Sequence, residues 1–326
     1  MVSVGELKIN TPVIIAPMAG VTDFPFRQIL REYGAELCFT EMVSSQGLIQ
    51  GNRRTEKLLD FSRNGGKIGV QLFGSEPEYM ARAASMVEEI FSPDLIDINM
   101  CCPAPKVTKT GAGAALLQNP ELAVEIVEKV NKFCSLPITA KMRKGWKTDE
   151  KTCVKLGEKL QSAGLKGVAI HARSREDYYE GEADWKVIAE TVKRLDIPVA
   201  GSGDVFSAEA AERMLAETNC DAVLLARGIQ GNPWLIKKTR SRLEQGEKLP
   251  DPEVEEKINQ ALEHLDRAVD YYGESRAVPL MRKHISWYLK GLPYCTEIKE
   301  KINHIGKREE VIKELNDYLE KIKNNF

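Results

Sequence analysis

The stretch from residue 95 to residue 103 reads Leu-Ile-Asp-Ile-Asn-Met-Cys-Cys-Pro. Its side chains at positions 95, 96, 98 and 100 are apolar, which is typical of a strand that is buried on both faces of a parallel sheet. Pro103 ends this strand, because proline has no amide hydrogen to donate and its φ is fixed. The stretch therefore predicts a buried parallel strand that runs directly into a loop carrying two cysteines.

Seven other segments share this short apolar character and alternate with longer segments of helical periodicity. The predicted strands are 13–16, 37–41, 68–72, 95–99, 138–142, 167–171, 198–200 and 222–226. Helices are predicted at 76–90, 120–133, 149–163, 184–195 and 207–217. Eight β-then-α units are the number of a (β/α)8 TIM barrel. The count therefore favours a barrel over an open, doubly wound sheet.

The alternation stops after Gly228, and the rest of the chain is predicted to be helical. Gly246-Glu247-Lys248-Leu249-Pro250 has the composition of a linker, and helical runs follow at 253–272, 276–289, 294–303 and 307–323. We therefore predict a barrel over residues 1–245 and a small, all-helical domain over residues 246–326, which is within the usual range of domain sizes.

The composition is that of an ordinary globular protein, with 43% hydrophobic and 29% charged residues in a chain of 326. There is no apolar run of the roughly 20 residues that a membrane helix needs, and the first ten residues lack the layout of a secretory signal. We therefore expect a cytoplasmic protein without a membrane segment. The seven cysteines include no Cys-x-x-Cys pair and the four histidines are scattered, which argues against a disulfide framework or a metal site.

The formal net charge of −2 gives no general indication of nucleic-acid binding. Two local stretches are nevertheless basic and free of acidic residues. One lies at 276–290, and the other comprises Lys141, Arg143, Lys144 and Lys147. Such clusters are most often solvated surfaces, so their meaning depends on their positions in the fold.

In a TIM barrel the active site is built from the carboxyl ends of the strands. Here those ends carry polar groups that a purely structural barrel does not need, such as Gln71, Asn99, Lys141 and His171. Taken singly, each has a structural alternative, since buried cysteines usually pack and long lysines usually reach the surface. The convergence of the whole set on one mouth predicts an active site.

Glycine-rich turns follow the seventh and eighth strands at 201–204 and 226–228. Turns at this place often bind a phosphate on backbone amides, and Arg227 adds a positive charge. A phosphate here, with Lys141 and Gln71 facing the ring space, suits FMN. The lysine would stabilise negative charge at the N1–C2=O edge of a reduced flavin, and the glutamine would hydrogen-bond the pyrimidine edge. A cysteine on the adjacent loop can donate a proton or act as a nucleophile.

Several longer motifs extend this pattern over almost the whole chain. They are Pro-Met-Ala-Gly-Val-Thr-Asp at 17–23, Asp-Ile-Asn-Met-x-Cys-Pro at 97–103, Lys-x-Gly-Ala-Gly-Ala-Ala-Leu-Leu at 109–117, Gly-x-Gly-Asp at 201–204 and Gly-Asn-Pro-Trp at 231–234. Together they resemble the dihydrouridine synthase family. The stretch Arg-Lys-His-x-x-Trp-Tyr-Leu at 282–289 is similar to its bacterial B-type subgroup.

This resemblance implies an FMN-dependent barrel with a C-terminal helical domain that reduces uridine in tRNA to 5,6-dihydrouridine. It implies that Cys102 protonates C5 of the uracil, that hydride passes from N5 of the flavin to C6, and that NADPH is the reductant. The implied flavin contacts are Pro17, Met18, Ala19, Gln71, Lys141, His171, Ser202, Gly203, Asp204, Ala226 and Arg227. The implied contacts to the uracil or to the RNA phosphates are Asn99, Arg143, Arg173, Arg282 and Lys283. Trp287 is expected to pack in the core, and no obligate protein partner is expected.

Three positions depart from the family pattern. Cys101 and Ala226 stand where glycine is usual, and Ser202 stands where asparagine is usual. Three alternative functions also remain at this point: the same chemistry on ribosomal RNA, an FMN barrel that acts on a free small molecule, and an RNA-binding module that has lost turnover. The basic runs and the helical domain argue against a small-molecule enzyme. The presence of Cys102, Lys141 and Gln71 argues against loss of turnover.

Overall fold

The computed structural model describes residues 1–61 and 66–324. Its strands are β1 (Val2–Val4), β2 (Leu7–Ile9), β3 (Val13–Ile15), β4 (Leu37–Phe39), β5 (Val43–Ser44), β6 (Lys67–Phe73), β7 (Leu95–Met100), β8 (Ile138–Arg143), β9 (Gly167–His171), β10 (Val199–Ser202) and β11 (Ala222–Leu225). Its helices are α1 (Phe24–Glu32), α2 (Ser45–Ile49), α3 (Arg53–Glu56), α4 (Pro77–Phe91), α5 (Pro105–Thr108), α6 (Pro120–Phe133), α7 (Thr152–Ser162), α8 (Trp185–Val192), α9 (Ala208–Thr218), α10 (Trp234–Gln245), α11 (Val254–Tyr272), α12 (Glu274–Tyr288), α13 (Cys295–His304) and α14 (Arg308–Lys323).

Eight parallel strands close into a barrel in the order β3-β4-β6-β7-β8-β9-β10-β11, with β11 pairing back to β3. These are the eight predicted strands, so the (β/α)8 prediction is confirmed. Side chains from the strands and the surrounding helices form the main apolar core, while a smaller apolar cluster fills the barrel interior. The strands are mostly apolar because helices cover their outer faces and this cluster covers their inner faces.

The short antiparallel hairpin β1–β2 was not predicted. Val2, Val4 and Ile9 of this hairpin pack with the barrel residues Ile14 and Leu95, so the hairpin lies on the apolar interior of the barrel. Each of its strands has only three residues, which is too few for an alternating pattern to be recognised in the sequence.

Helices α6 and α9 begin within one residue of their predicted positions because a capping side chain defines their first turns. Asn119 accepts a hydrogen bond from the amide of Leu122, and proline occupies the first position of α6. The helix predicted from residue 149 instead begins at Thr152. Glu150 accepts hydrogen bonds from the amides of Trp146 and Lys147, which places that residue in the preceding turn.

The four helices α11–α14 follow α10 and pack around an apolar cluster of their own, as predicted for the end of the chain. They also contact the barrel. The ring of Phe26 on α1 stacks on His264 at 5.0 Å, and the Tyr272 hydroxyl donates to Asp23 at 3.0 Å. The division into two domains at residue 245 stays a prediction. The last two residues of the predicted helical domain, 325 and 326, lie outside the described residues. In the described part of the chain, no helix is both long and apolar enough to span a membrane.

Candidate active site

A cavity of about 360 Å³ opens at the carboxyl ends of the barrel strands. Most of the residues predicted from the strand ends line it together. They are Pro17, Met18, Ala19, Gln71, Asn99, Cys102, Lys141, Arg143, His171, Ser202, Gly203, Asp204, Ala226 and Arg227. The closure of the barrel is what assembles them, because residues far apart in the chain follow parallel strands that all end at the same face.

The cysteine loop is held from both sides. The Asn99 side-chain oxygen accepts hydrogen bonds from the amides of Cys101 at 3.0 Å and Cys102 at 2.9 Å. On the other side, the Cys102 carbonyl accepts from the amide of Ala114 at 3.0 Å. Gly113 has a φ of +63°, and a Cβ there would lie 2.8 Å from that carbonyl. The glycine is therefore required for the close approach of the two loops.

The two neighbouring thiols have different surroundings. The Cys101 sulfur accepts a hydrogen bond from the Lys141 ammonium at 2.9 Å, and the residue as a whole is 7% exposed. Cys102 also lines the cavity and is partly exposed. Burial raises the pKa of the Cys102 thiol above its ordinary value. At neutral pH Cys102 therefore carries its proton, which suits a proton donor better than a nucleophile.

The cavity has a cationic wall. Burial lowers the pKa of His171 well below its ordinary value, and the nearby charges of Lys141, Arg143, Arg173 and Arg227 lower it further. His171 is therefore neutral at pH 7 and offers one donor and one acceptor nitrogen. The cations around it favour an anionic ligand.

The turn after β10 is rigidly held next to this wall. Gly203 and Asp204 both have left-handed backbone conformations, with φ of +126° and +56°. The Asp204 carboxylate accepts from the Arg173 guanidinium at 2.7 Å and from the amide of Ala183 at 2.8 Å. Arg227 lies 3.5 Å from the same carboxylate. A Cβ at Gly203 would lie 2.7 Å from the Ala183 side chain, so this turn also depends on its glycine.

Arg143 and Arg173 bind the loop at 174–181 rather than projecting freely. Arg143 is 1% exposed and donates to the carbonyls of Cys101, Ser174 and Tyr178 at 2.6–2.9 Å. Arg173 donates to the carbonyls of Glu180 and Gly181 at 3.0 and 2.6 Å. Arg143 lines the cavity, whereas Arg173 lies behind its lining, against Asp204.

Comparison with known proteins agrees with the geometry. The family model described as dihydrouridine synthase matches residues 14–326. The chain belongs to the dihydrouridine synthase family. It is 37% identical to "tRNA-dihydrouridine synthase B" of Pasteurella multocida, with 93% of this chain and 91% of that protein covered. It is also 37% identical to the protein of the same name from Pseudomonas aeruginosa, with 94% and 92% covered.

A solved structure of low sequence identity shows a shared fold. The amine oxidase for 6-hydroxypseudooxynicotine from Pseudomonas geniculata is 13% identical and superposes with a TM-score of 0.57, covering 74% of this chain and 49% of that one. The family and the B-type subgroup predicted from the motifs are confirmed by the sequence relatives. The protein is accordingly an oxidoreductase that reduces uridine to 5,6-dihydrouridine.

One prominent residue of this dihydrouridine synthase cavity was not predicted from the sequence. Tyr179 lines the mouth, is 51% exposed, and its ring lies 4.7 Å from the Arg227 guanidinium and 5.4 Å from that of Arg143. The sequence does contain an indication of it, because Tyr178 and Tyr179 form an aromatic pair within a charged loop directly after a barrel strand.

The predicted basic clusters separate in the fold. Lys141 and Arg143 enter the cavity wall, Lys144 lies 3.8 Å from Asp184, and Lys147 is exposed. These four residues therefore do not form one basic surface.

On α12, two further predicted substrate residues are partly buried and bind main-chain carbonyls. Arg282 donates to the carbonyl of Ile305 at 2.9 Å, and Lys283 donates to that of Gly20 at 2.5 Å. Lys283 therefore ties the helical part of the chain to the turn after β3. Lys290 is exposed, and Trp287 packs against the main core while remaining partly exposed.

The described residues include no group of three His, Cys, Asp or Glu side chains that could hold a metal ion. All seven cysteines lie within the described residues and are free thiols.

Proposed function

We propose that this protein reduces uridine in tRNA to 5,6-dihydrouridine with FMN bound in the mouth cavity, Cys102 as the proton donor and NADPH as the reductant. One observation carries the proposal. A single cavity joins a half-buried, protonated thiol to Lys141, Gln71 and a glycine turn beside Arg227. Reduction of a uracil ring needs both a hydride source and an acid, and the residues of this cavity supply the acid and suit a bound hydride source.

The residues present fit FMN by their chemistry. The cationic wall suits a phosphate, and the turns at Gly203 and Gly228 bring backbone close to Arg227. Gln71 on β6 and Lys141 on β8, the strands on either side of β7, line the same cavity and suit the polar edge of an isoalloxazine ring. Pro17, Met18, Ala19, Ser202, Asp204 and Ala226 complete the proposed contacts, and neutral His171 offers a hydrogen bond. FMN, when bound, supplies the hydride for C6 of the uracil.

The chain itself positions the substrate and moves the proton. A uracil must leave its base stack to enter a cavity at a barrel mouth. We assign Asn99 and Arg143 to contacts with the uracil ring. Arg173, Arg282 and Lys283 are assigned to the RNA phosphates or to the protein loops that contact those phosphates. Cys102 donates its thiol proton to C5, and burial keeps this proton on the sulfur until then.

The names of the sequence relatives support tRNA as the substrate class. We therefore place the reaction in the cytoplasm, where bacterial tRNA is processed.

The test combines cofactor and product. The purified protein should be yellow and release FMN on denaturation. Mass mapping of RNA from cells with and without the protein should show dihydrouridine lost from tRNA and retained in ribosomal RNA. A protein that takes up no FMN from solution would overturn the cofactor assignment, and loss of dihydrouridine from ribosomal RNA alone would overturn the substrate assignment.

A further inference from the structure

A continuous chain of hydrogen bonds runs beneath the cavity, from the barrel interior to the cysteine loop. The Asp97 carboxylate accepts from the Gln71 side-chain amide at 2.7 Å and from the Thr139 hydroxyl at 2.7 Å. The Gln71 oxygen accepts from the Asn99 side-chain amide at 2.8 Å. The Asn99 oxygen accepts from the amides of Cys101 and Cys102. Strand register brings Gln71 and Asp97 side by side, with Thr139 on the far side of Asp97.

The groups at the two ends of this series of hydrogen bonds determine which way each bond is donated. A carboxylate only accepts hydrogen bonds, and backbone amides only donate them. Gln71 must therefore turn its NH₂ group toward Asp97, which leaves its oxygen for Asn99. Asn99 must in turn present its NH₂ group to Gln71 and its oxygen to the cysteine loop. Asp97 thus fixes the orientation of both side-chain amides from one end, and the amides of the cysteine loop fix it from the other. Asp97 does not itself line the cavity.

Because this series of hydrogen bonds is buried, the loss of any one partner leaves a polar group unpaired. Asp97, Gln71 and Asn99 are 3%, 1% and 5% exposed, so water cannot readily replace a missing partner. Burial raises the pKa of Asp97 to about 6, while the bonds from Thr139 and Gln71 and the charge of Lys141 oppose the rise. The carboxylate is therefore the acceptor form at neutral pH.

We propose that Asp97 is a positioning residue that sets the geometry of the Cys102 proton donor through Gln71 and Asn99. The inference takes the role of Cys102 from the proposed function. The hydrogen bonds from Asp97 through Gln71 and Asn99 to the cysteine loop, which we call the relay, are observed independently of that role. The relay and the role of Cys102 can therefore be tested separately.

The variant Asp97→Leu removes the acceptor at similar volume, while Asp97→Asn keeps one. In Asp97→Asn the new oxygen can still accept from Gln71, and its NH₂ group can donate to the Thr139 hydroxyl. We expect Asp97→Leu to lower kcat for tRNA uridine reduction by about 10²-fold, since displacement of a reacting group by about 1 Å has that cost. KM for tRNA should stay the same, and Asp97→Asn should restore most of kcat.

A second readout needs no flavin and no turnover. In the apoprotein, alkylation of Cys102 by iodoacetamide is followed by peptide mass spectrometry. It should be several-fold faster in Asp97→Leu and in Gln71→Met than in the wild type, because the loop loses its anchor. Thr139→Val is the matched control, because it removes the other partner of the same carboxylate and should leave the Cys102 rate unchanged.

If Asp97→Leu does not fold, the alkylation test is made on Gln71→Met. The relay would be overturned if Cys102 in the folded variants were alkylated at the wild-type rate. It would also be overturned if Thr139→Val accelerated the alkylation of Cys102 as much as those variants do. Faster alkylation of Cys102 in a protein whose Cys102→Ala variant still reduces tRNA normally would uphold the relay and overturn the proposed role of Cys102.

Discussion

The Lys141 ammonium lies 2.9 Å from the sulfur of Cys101, the neighbour of the proposed proton donor Cys102. Cys101 stands where the family usually has glycine, so this contact is a feature of the present chain. The thiol at 101 accepts a hydrogen bond from a lysine that the cavity otherwise presents to a ligand. Cys101 is therefore paired with Lys141, whereas Cys102 is left to act on the substrate in the proposed reaction.

The two thiols should differ sharply in function. Cys102→Ala should slow single-turnover reduction of tRNA uridine by about 10²–10⁴-fold, the usual cost of losing a general acid, while NADPH still reduces the flavin. Cys101→Ala should keep turnover, because the side-chain hydrogen bond that it loses is to Lys141 and not to Cys102. Stopped-flow absorbance of the flavin separates the two half-reactions. A crippled Cys101→Ala beside a normal Cys102→Ala would reverse the assignment.

Arg227 should recognise the phosphate of the flavin rather than its ring. A hydrogen bond to a charged group contributes about 1.5–3 kcal/mol, so Arg227→Met should weaken FMN binding by about tenfold to a hundredfold. Riboflavin, which lacks the phosphate, should bind both proteins equally in a fluorescence titration. Arg213→Met is a suitable control, since Arg213 pairs with Glu217 on the outer helix α9. Equal losses for FMN and riboflavin would place Arg227 at the ring instead.

Binding of RNA should depend on the basic residues of α12 and the residues that follow it. Neutralising Arg282, Lys283 and Lys290 together should weaken tRNA binding. The slope of log affinity against log salt concentration should fall by roughly one unit for each RNA phosphate that these side chains neutralise in the wild type. Lys283 also bonds the Gly20 carbonyl, so the melting temperature must be measured in parallel.

Lys132→Gln provides the control for that experiment. Lys132 lies in the last turn of α6, just before β8, and so at the end of the barrel opposite the mouth. An unchanged salt slope in the triple variant, with tRNA still bound, would show that this part of the chain does not contact the phosphates.

The contact between barrel and helices should be sensitive to acid. His264 is buried between Phe26, His284 and Tyr288, and burial lowers its pKa well below the ordinary 6.5. The unfolded chain therefore binds a proton that the folded chain excludes. Stability is full above about pH 6.5 and falls as the pH drops below it, by up to about 1.4 kcal/mol per pH unit for this group.

His264→Phe keeps the stack on Phe26 and cannot take up a proton. It should be less stable than the wild type at pH 8, because the Tyr288 hydroxyl loses its partner. Its stability should nevertheless fall less steeply between about pH 6.5 and 5, as measured by urea unfolding. Parallel pH profiles for the two proteins would show that His264 does not contribute to acid sensitivity.

The sequence by itself determined the barrel and most of its mouth. Strand segments such as 95–99 and 138–142 are mostly apolar because they are buried on both faces, and polar groups at their ends mark the face where the strands finish. An apolar strand and the polar turn that follows it are adjacent in the sequence, so their arrangement can be predicted from the sequence alone. The family motifs then assigned the chemistry.

Only the tertiary structure decided what each polar group contacts. Asp97 lies within an apolar strand pattern, and its partners Gln71 and Thr139 come from neighbouring strands distant in sequence. Arg143 and Arg173 had the residue type of substrate contacts, yet the fold surrounds them with main-chain carbonyls of the loop at 174–181 and, for Arg143, of Cys101. Hydrogen bonds of this kind depend on the closure of the barrel and on burial, because the direction of a buried side chain is set by whichever donor or acceptor the fold places beside it.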